Sequence, residues 1–491
     1  MKKLPSLLLT LTFFSLAPAS RLFAQDKFYE EPIGWHGKSI ELHTITDRDK
    51  QQSCLFLCNS DSIRAFVLDG SRNIVQHFYF NRLPDEQFLG GFIKDGKVHV
   101  FLQSSGANSD LHVWVLEVPG GTGDDYVIPF GMRHERAVEQ ISCGDHFLYF
   151  TVNRKASQFA IYDFHENKRC DTLHYTFEDG VWQALTSFNG GWSREMNVVK
   201  VDPDQQMSPD EAHIPNKLYW MHDSLFLVMN TYQRGVTAIF SFDIRAGKVD
   251  FRTITHNNAR TFDKYTTHYV DNSMLLDGRL YFVSGEDNRL DMQVRDFYNG
   301  RLLREYSVAR DEEITWKNTP IIQQGSYYKA GPRELAKTRQ FLRKMVDGSA
   351  LLVASREDSG RVGVTIGAWQ KMTGSGTGLG SGMMMPGNSM VMVSSGVFFR
   401  GATVRSSRFK MLLDTATLQY VPGEITGDIG DRVEQYTAAI SIPPEGENLF
   451  VNGGRYVYAY YNRDEHKLML SSFRMSAERT SRTEGAQTLA Q

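Results

Sequence analysis

Trp182, Phe188 and Trp192 lie close together in the chain, beside the charged pair Arg194-Glu195 and around Gly190-Gly191. Flat aromatic faces next to charge can stack on a sugar ring or grip a peptide. Tyr327 and Tyr328, which follow Ser326, form a second aromatic set of the same kind. Both sets fall in long interruptions, roughly 179–215 and 310–345, and long loops on a rigid scaffold often carry binding. These seven residues are the ligand-binding candidates. The plainer alternative is a loop folded onto the protein by its own aromatics.

Catalytic and metal-binding patterns are weak by comparison. His134-Glu135 and His165-Glu166 lack the partner histidine of a zincin motif. No Gly-x-Ser-x-Gly elbow occurs. Asp202-Pro-Asp204 and Glu286-Asp287 lack the remaining ligands of a calcium loop. The stretch 373–387 reads TGSGTGLGSGMMMPG, without the spacing of a dinucleotide or phosphate loop. Met383, Met384, Met385, Met390 and Met392 are thioethers that suit Cu(I), but no His or Cys stands near them. Catalytic residues, metals and cofactors are therefore all read as none. Asp61-Ser62-Ile63, Asp171-Thr172-Leu173, Asp223-Ser224-Leu225 and Asp414-Thr415-Ala416 resemble an O-glycosylation sequon used by some bacterial export systems, and turn preference accounts for them almost as well.

The chain has four cysteines. Cys54 and Cys58 stand four apart in an apparent strand, a separation of about 13 Å at 3.3 Å per residue, too far to bond. Cys143 and Cys170 fall in one repeat unit and are the possible disulfide; four buried thiols are the equal alternative. No pair of ligands is matched by a second pair as a zinc site would need.

What would position these residues is a repeated unit. From Leu276 to Val308 the chain runs through three apolar stretches parted by Asp277-Gly278, Glu286-Asp287-Asn288 and Asn299-Gly300. This is an antiparallel meander. Comparable openings occur near Asp49, Asp95, Asp145, Asp223, Asp277, Asp347, Gly396 and Gly453. An acid often closes the second stretch 18 to 22 residues on, at Asp69, Glu117, Asp163, Asp243, Asp296 and Asp414. Constant units with variable gaps predict an all-β fold, a β-propeller of about eight blades (seven as the alternative), each a four-stranded antiparallel sheet. One such sheet cannot bury both faces alone, which is the reason for repetition. Ser39 to Thr46 is expected to complete the last blade and close the ring. A helix is expected from Pro332 to Met345, with Leu335, Leu342 and Met345 on one face and Arg333, Lys337, Arg339, Arg343 and Lys344 exposed.

Two units, IFSFDIRAGKV (239–249) and MQVRDFYNGRLL (292–303), resemble the repeats of quinoprotein-like propellers, where an aliphatic-aromatic strand ends in Asp before a Gly turn. The resemblance implies the fold. The Trp that ends such repeats is absent, with Phe251 and Tyr306 near its place, so no quinone cofactor is implied.

Lys2 and Lys3, an apolar stretch from Leu7 to Leu16 and Leu22-Phe23-Ala24 read as a signal peptide, residues 1–24. Localisation is thus expected to be exported, to the periplasm or beyond the cell. Residues 25–475 are read as one propeller domain with insertions near 179–215, 310–345 and 371–392, and 476–491 as a disordered tail. No later segment is long and apolar enough for a transmembrane helix. Apolar residues make up 41% and charged residues 23%, as in ordinary globular domains. The formal charge of −3 becomes −6 without Lys2, Lys3 and Arg21, which argues against nucleic acid as a partner. The expected role is a monomeric module binding a protein or glycan; the alternative is a hydrolase or lyase with a dispersed site in the central channel.

Overall fold

The chain reverses where its turn chemistry predicts. In the computed structural model Asp95, Gly144, Asp223, Asp277 and Gly453 all take positive φ, between 49° and 58°. Each sits in the tight turn between two consecutive antiparallel strands of a sheet, where a left-handed residue matches the strand twist. Three of the closing acids then cap the turn after the third strand, each through two amides. Asp69 Oδ1 accepts from the amides of Ser71 and Asn73, Asp296 Oδ1 from Tyr298 and Asn299, and Asp414 Oδ1 from Ala416 and Thr417.

The structure describes residues 25–475 except 36–39, 48–49, 84, 105–109, 122, 133, 179, 189–193, 202–206, 208, 222, 257–267, 326–331, 358–359, 372–403, 426–428 and 441–444. The expected signal peptide, the Gly/Met stretch and the expected disordered tail lie outside the described residues, as do Trp192, Tyr327 and Tyr328.

Among the described residues, seven sheets of four or five strands follow one another, spanning 41–81, 86–128, 135–176, 198–255, 269–309, 322–414 and 445–474. In the first, the second and third strands, Gln52–Cys58 and Ser62–Leu68, are almost wholly buried, while the outermost, Ile74–Asn81, alternates. The core lies between sheets. One apolar cluster joins the first sheet to the second through Phe56, Phe88 and Val100; another joins the second to the third through Phe101 and Phe147. A third joins third and fourth, a fourth runs from the fourth to the sixth, and a fifth joins the seventh back to the first through Leu57, Phe66 and Val457. Sheets packed on their neighbours in circular order, with a helix standing between the sixth and the seventh, form a β-propeller, here of seven blades among the described residues.

The count of about eight is corrected to its alternative, seven, for a definite reason. The stretches opening at Asp347 and before Asp414 belong to one sheet: Ser349–Glu357, Arg361–Lys371 and Val404–Asp414 are hydrogen-bonded in that order. Its fourth and fifth strands, Ile322–Gln324 and Arg333–Glu334, come from upstream. Ring closure holds, but by a different strand. Gln25–Pro32 pairs with Lys467–Arg474 and completes the seventh sheet, whereas Glu41–Asp47 is the innermost strand of the first.

The predicted helix is shorter, Thr338–Val346, because Arg333–Glu334 is drawn into the sixth sheet. Leu335, Leu342 and Met345 are buried as expected. The helix packs on its own fold; a Cβ at Gly285 of the fifth blade would come within 2.8 Å of Met345 Sδ. A second helix, Ile429–Ala439, lies against the seventh sheet through Ile429 and Val433 and reaches the sixth through the Asp431–Lys410 ion pair.

Candidate functional site

The outer part of the cleft between the first two blades is a groove of about 880 Å³. One wall is five consecutive residues, His77 to Asn81, of the outermost strand of blade one; the other carries His112, Trp114, Asp125 and Val127 of blade two. Phe80 and Trp114 stack across the floor, centroids 4.9 Å apart and planes 29° apart. The indole Nε1 of Trp114 is buried with no hydrogen-bond partner among the described residues. Tyr79, Leu83 and Val127 are 62%, 53% and 52% exposed, so apolar surface lines the rim.

His112 bridges two carboxylates, Nδ1 at 2.8 Å from Glu86 Oε1 and Nε2 at 3.1 Å from Asp125 Oδ2. Glu86 is 2% exposed and its other oxygen accepts from the Leu83 amide at 2.9 Å. The hydrogen bond that His112 donates to Glu86, and then the one to Asp125, raise the His112 pKa against the opposing effect of burial. Asp110 adds a third carboxylate to the lining, and no Lys or Arg is among the lining residues. The groove therefore offers aromatic faces, aliphatic rim and negative charge.

The predicted aromatic loop is resolved in part. Trp182 lies on a short helix, Val181–Leu185, packed against the cluster between blades three and four, with Arg136 and Arg154 over its ring at 5.8 and 5.7 Å. Phe188 and Arg194 are paired in a small hairpin, Thr186–Phe188 with Arg194–Met196, and Glu195 pairs with Ser187. After it, Val198–Val201 joins the fourth sheet as a parallel inner strand. This insertion thus builds a blade as well as a loop.

Cys143 and Cys170 do not pair; all four thiols are free. They occupy the first and last strands of a four-stranded sheet, about 14 Å apart at 4.7–4.9 Å per strand, beyond the reach of a disulfide. Of the sequon-like turns, Ser62 is buried and bonded to Asn59 Oδ1 at 3.1 Å, Ser224 and Thr415 are half-buried, and Thr172 is exposed.

Ionisable groups also reach the inner strands. Desolvation pushes the Glu139 carboxyl up to about 7 and the Asp271 carboxyl to about 7, and brings the Lys217 amine down to about 7. Each has its own neighbours: Glu139 faces Lys200 and Glu211, Asp271 accepts from the Gly235 amide at 3.3 Å, and Lys217 donates to Asn272 and to Ile214 O. They can hold or release protons near neutrality, but they sit on three different blades.

No known family profile matches the chain, and no curated protein matches it. Among solved structures it is similar to the WD40 domain of SCAP from fission yeast, at 8% identity and TM-score 0.32, over 92% of this chain and 99% of that one. Hsv2 of Kluyveromyces lactis is similar at 13% identity and TM-score 0.32, over 89% and 98%. A prolyl endopeptidase is similar at 9% identity and TM-score 0.34, over 87% of this chain and 46% of its own. At scores of this size the propeller assignment stands on the strand order described above.

The groove escaped the sequence reading because its walls come from different repeats. One local signal was available. His-Phe-Tyr-Phe at 77–80 places aromatics on both faces of a strand whose outer face should be polar.

Proposed function

We propose that this is an exported β-propeller that captures an extended segment of a partner protein, rich in basic and apolar side chains, in the groove between blades one and two. The observation that carries the reading is the lining itself, three carboxylates and a stacked Phe80–Trp114 pair, with His112 between two of the acids and no Lys or Arg among the described lining residues. A lysine or arginine stem covers apolar surface while its head meets carboxylate, and cations favour the faces of Trp and Tyr. Two of the strands that line it, Ile74–Asn81 and Gly123–Ile128, are outermost in their sheets. Each leaves one edge without a strand partner among the described residues, the geometry that peptides use to add to a sheet. A glycan would use the aromatic floor but not the aliphatic rim of Leu83 and Val127.

The test is selection from a displayed random-decapeptide library against the mature chain. Enrichment of Lys or Arg alternating with aliphatic residues, lost in Tyr79→Ala and in Asp125→Asn, is the expected result. No enrichment, or binding to a glycan array that the same substitutions abolish, would overturn it.

A further inference from the structure

Asp163 departs from what four of the five other acids at its repeat position do; the fifth, Glu117, pairs with Lys97. Its counterparts Asp69, Asp243, Asp296 and Asp414 turn their carboxylates onto the backbone amides of the next turn. Asp163 instead lies between two imidazoles, Oδ1 at 3.1 Å from His146 Nδ1 and Oδ2 at 3.3 Å from His165 Nε2. Ligand atoms of His146, Asp163 and His165 all lie within 4.8 Å of one another. The register explains the meeting. Phe147 pairs with Phe164, so one step further His146 stands opposite His165, and Asp171 is the cross-strand partner of Asp163. The two turns concerned belong to a single sheet, so the positions are set by the strand ladder.

We propose that this cluster is a binding site for one divalent transition-metal ion, with Zn²⁺ the best fit. His146 and His165 supply nitrogen, Asp163 supplies oxygen, and Asp171 supplies the fourth ligand. Three observations support it. First, the two oxygens of Asp163 stand 3.1 Å from His146 Nδ1 and 3.3 Å from His165 Nε2, and Asp171 Oδ2 stands 3.2 Å from the same His165 nitrogen; with one ligand atom from each of His146, Asp163 and His165 within 4.8 Å, a small inward movement of side chains at the turn brings them to bonds of about 2.0–2.1 Å around one ion. Second, His165 Nε2 is buried and makes no hydrogen bond among the described residues, although two carboxylate oxygens stand that close. A nitrogen ringed by oxygens in poor hydrogen-bond alignment is placed as a ligand is. Third, the far nitrogen of His146, Nε2, is 2.9 Å from Asp145 Oδ1, the outer carboxylate that orients metal-bound histidines.

Charge agrees. Asp145, Asp163, Glu166 and Asp171 are faced by Lys94, which reaches Asp145 and Glu166, and by Arg169 on Asp171. Four acids against two bases leave room for one dication. His165-Glu166 looked incomplete as a metal motif because the second histidine comes from the neighbouring strand, not from the next helical turn.

The experiment is calorimetric titration of Zn²⁺ into chelator-stripped full-length mature chain. One equivalent is expected to bind, with at least a tenfold loss of affinity in His165→Gln, a substitution at a turn that leaves the strand ladder intact. The melting temperature of wild type is expected to rise with Zn²⁺ while that of His165→Gln does not. Co²⁺ should give the visible spectrum of a four-coordinate nitrogen–oxygen site in wild type only. No binding to wild type, or binding unchanged in a folded His165→Gln, would show that the cluster is an ion-pair network and overturn the proposal. If His165→Gln fails to fold, His146→Gln takes its place under the same criteria.

Discussion

Tyr461 donates its hydroxyl hydrogen to the backbone carbonyl of Trp35 across 2.7 Å. The bond ties the seventh blade to the segment that leads from the closing strand into the first. Trp35 is held on its other side by the Arg64 guanidinium, 5.6 Å from the ring centroid, and Ile33 donates its amide to His466 O at 2.8 Å. Removing residues 25–33 should therefore expose the edge Lys467–Phe473. The truncated chain is expected to melt well below the chain of residues 25–491 and to elute as aggregates in size-exclusion chromatography. Tyr461→Phe, which loses one hydrogen bond, should cost only about 1 kcal/mol in denaturant unfolding. A truncated chain that stays monomeric with an unchanged midpoint would show that the ring does not need this strand.

The Glu86–His112 pair makes a pH prediction. His112 has its pKa raised by Glu86, so its contribution to stability is present below about 6.5, its usual value, and is lost as pH rises through the folded value. Glu86→Gln should bring the His112 titration, followed by NMR, down toward the ordinary range. The same substitution should destabilise more at pH 5.5 than at pH 9, because at high pH the wild type buries a carboxylate beside a neutral imidazole.

Glu139 has the opposite chemistry. Its folded carboxyl titrates at about 7, well above the ordinary value of 4.5, so the folded state holds a proton that the unfolded state has released between those values. Stability from this group is present at low pH and falls as pH rises toward 7. Glu139→Gln should accordingly be worth about 1–3 kcal/mol more, relative to wild type, at pH 8 than at pH 5. Equal effects at the two pH values in urea unfolding would place Glu139 in ordinary water.

Thiol chemistry checks the sheet assignment of the cysteines. Cys54 and Cys58 are fully buried, and burial raises their pKa and that of Cys143; Cys170 is only half-buried, pushed up to about 11. Folded protein is expected to react with a thiol reagent slowly, and at Cys170 first. Unfolding without reductant should release all four. A count of two would restore a disulfide.

How much of this was readable depends on whether one strand or several sheets carry the signal. Asp277-Gly278 announces its own turn, because positive φ at two successive residues demands such types, and both are in fact left-handed. The blade count was harder. Blade six takes an outer strand from Ile322–Gln324, far upstream of its inner strand at Ser349–Glu357, so counting units in chain order split one sheet in two. The identity of the closing strand failed similarly, since Glu41–Asp47 and Gln25–Pro32 are both strands and only pairing distinguishes them. The groove and the His146–Asp163–His165 cluster exist only once register brings distant residues together. Trp182 was singled out by composition, and the structure shows it packed with its own blade neighbours.

The pairing of Gln25–Pro32 with Lys467–Arg474 also sets a schedule for biogenesis. The first strand to emerge needs the last to arrive, so some 430 residues must be made while both ends stay single. Loop closure over that distance comes late. Until then the newborn chain carries two sticky borders, one at each extremity, and is at its most vulnerable to neighbours like itself. A chaperone that shields either border before the circle locks would act at the step that limits the yield.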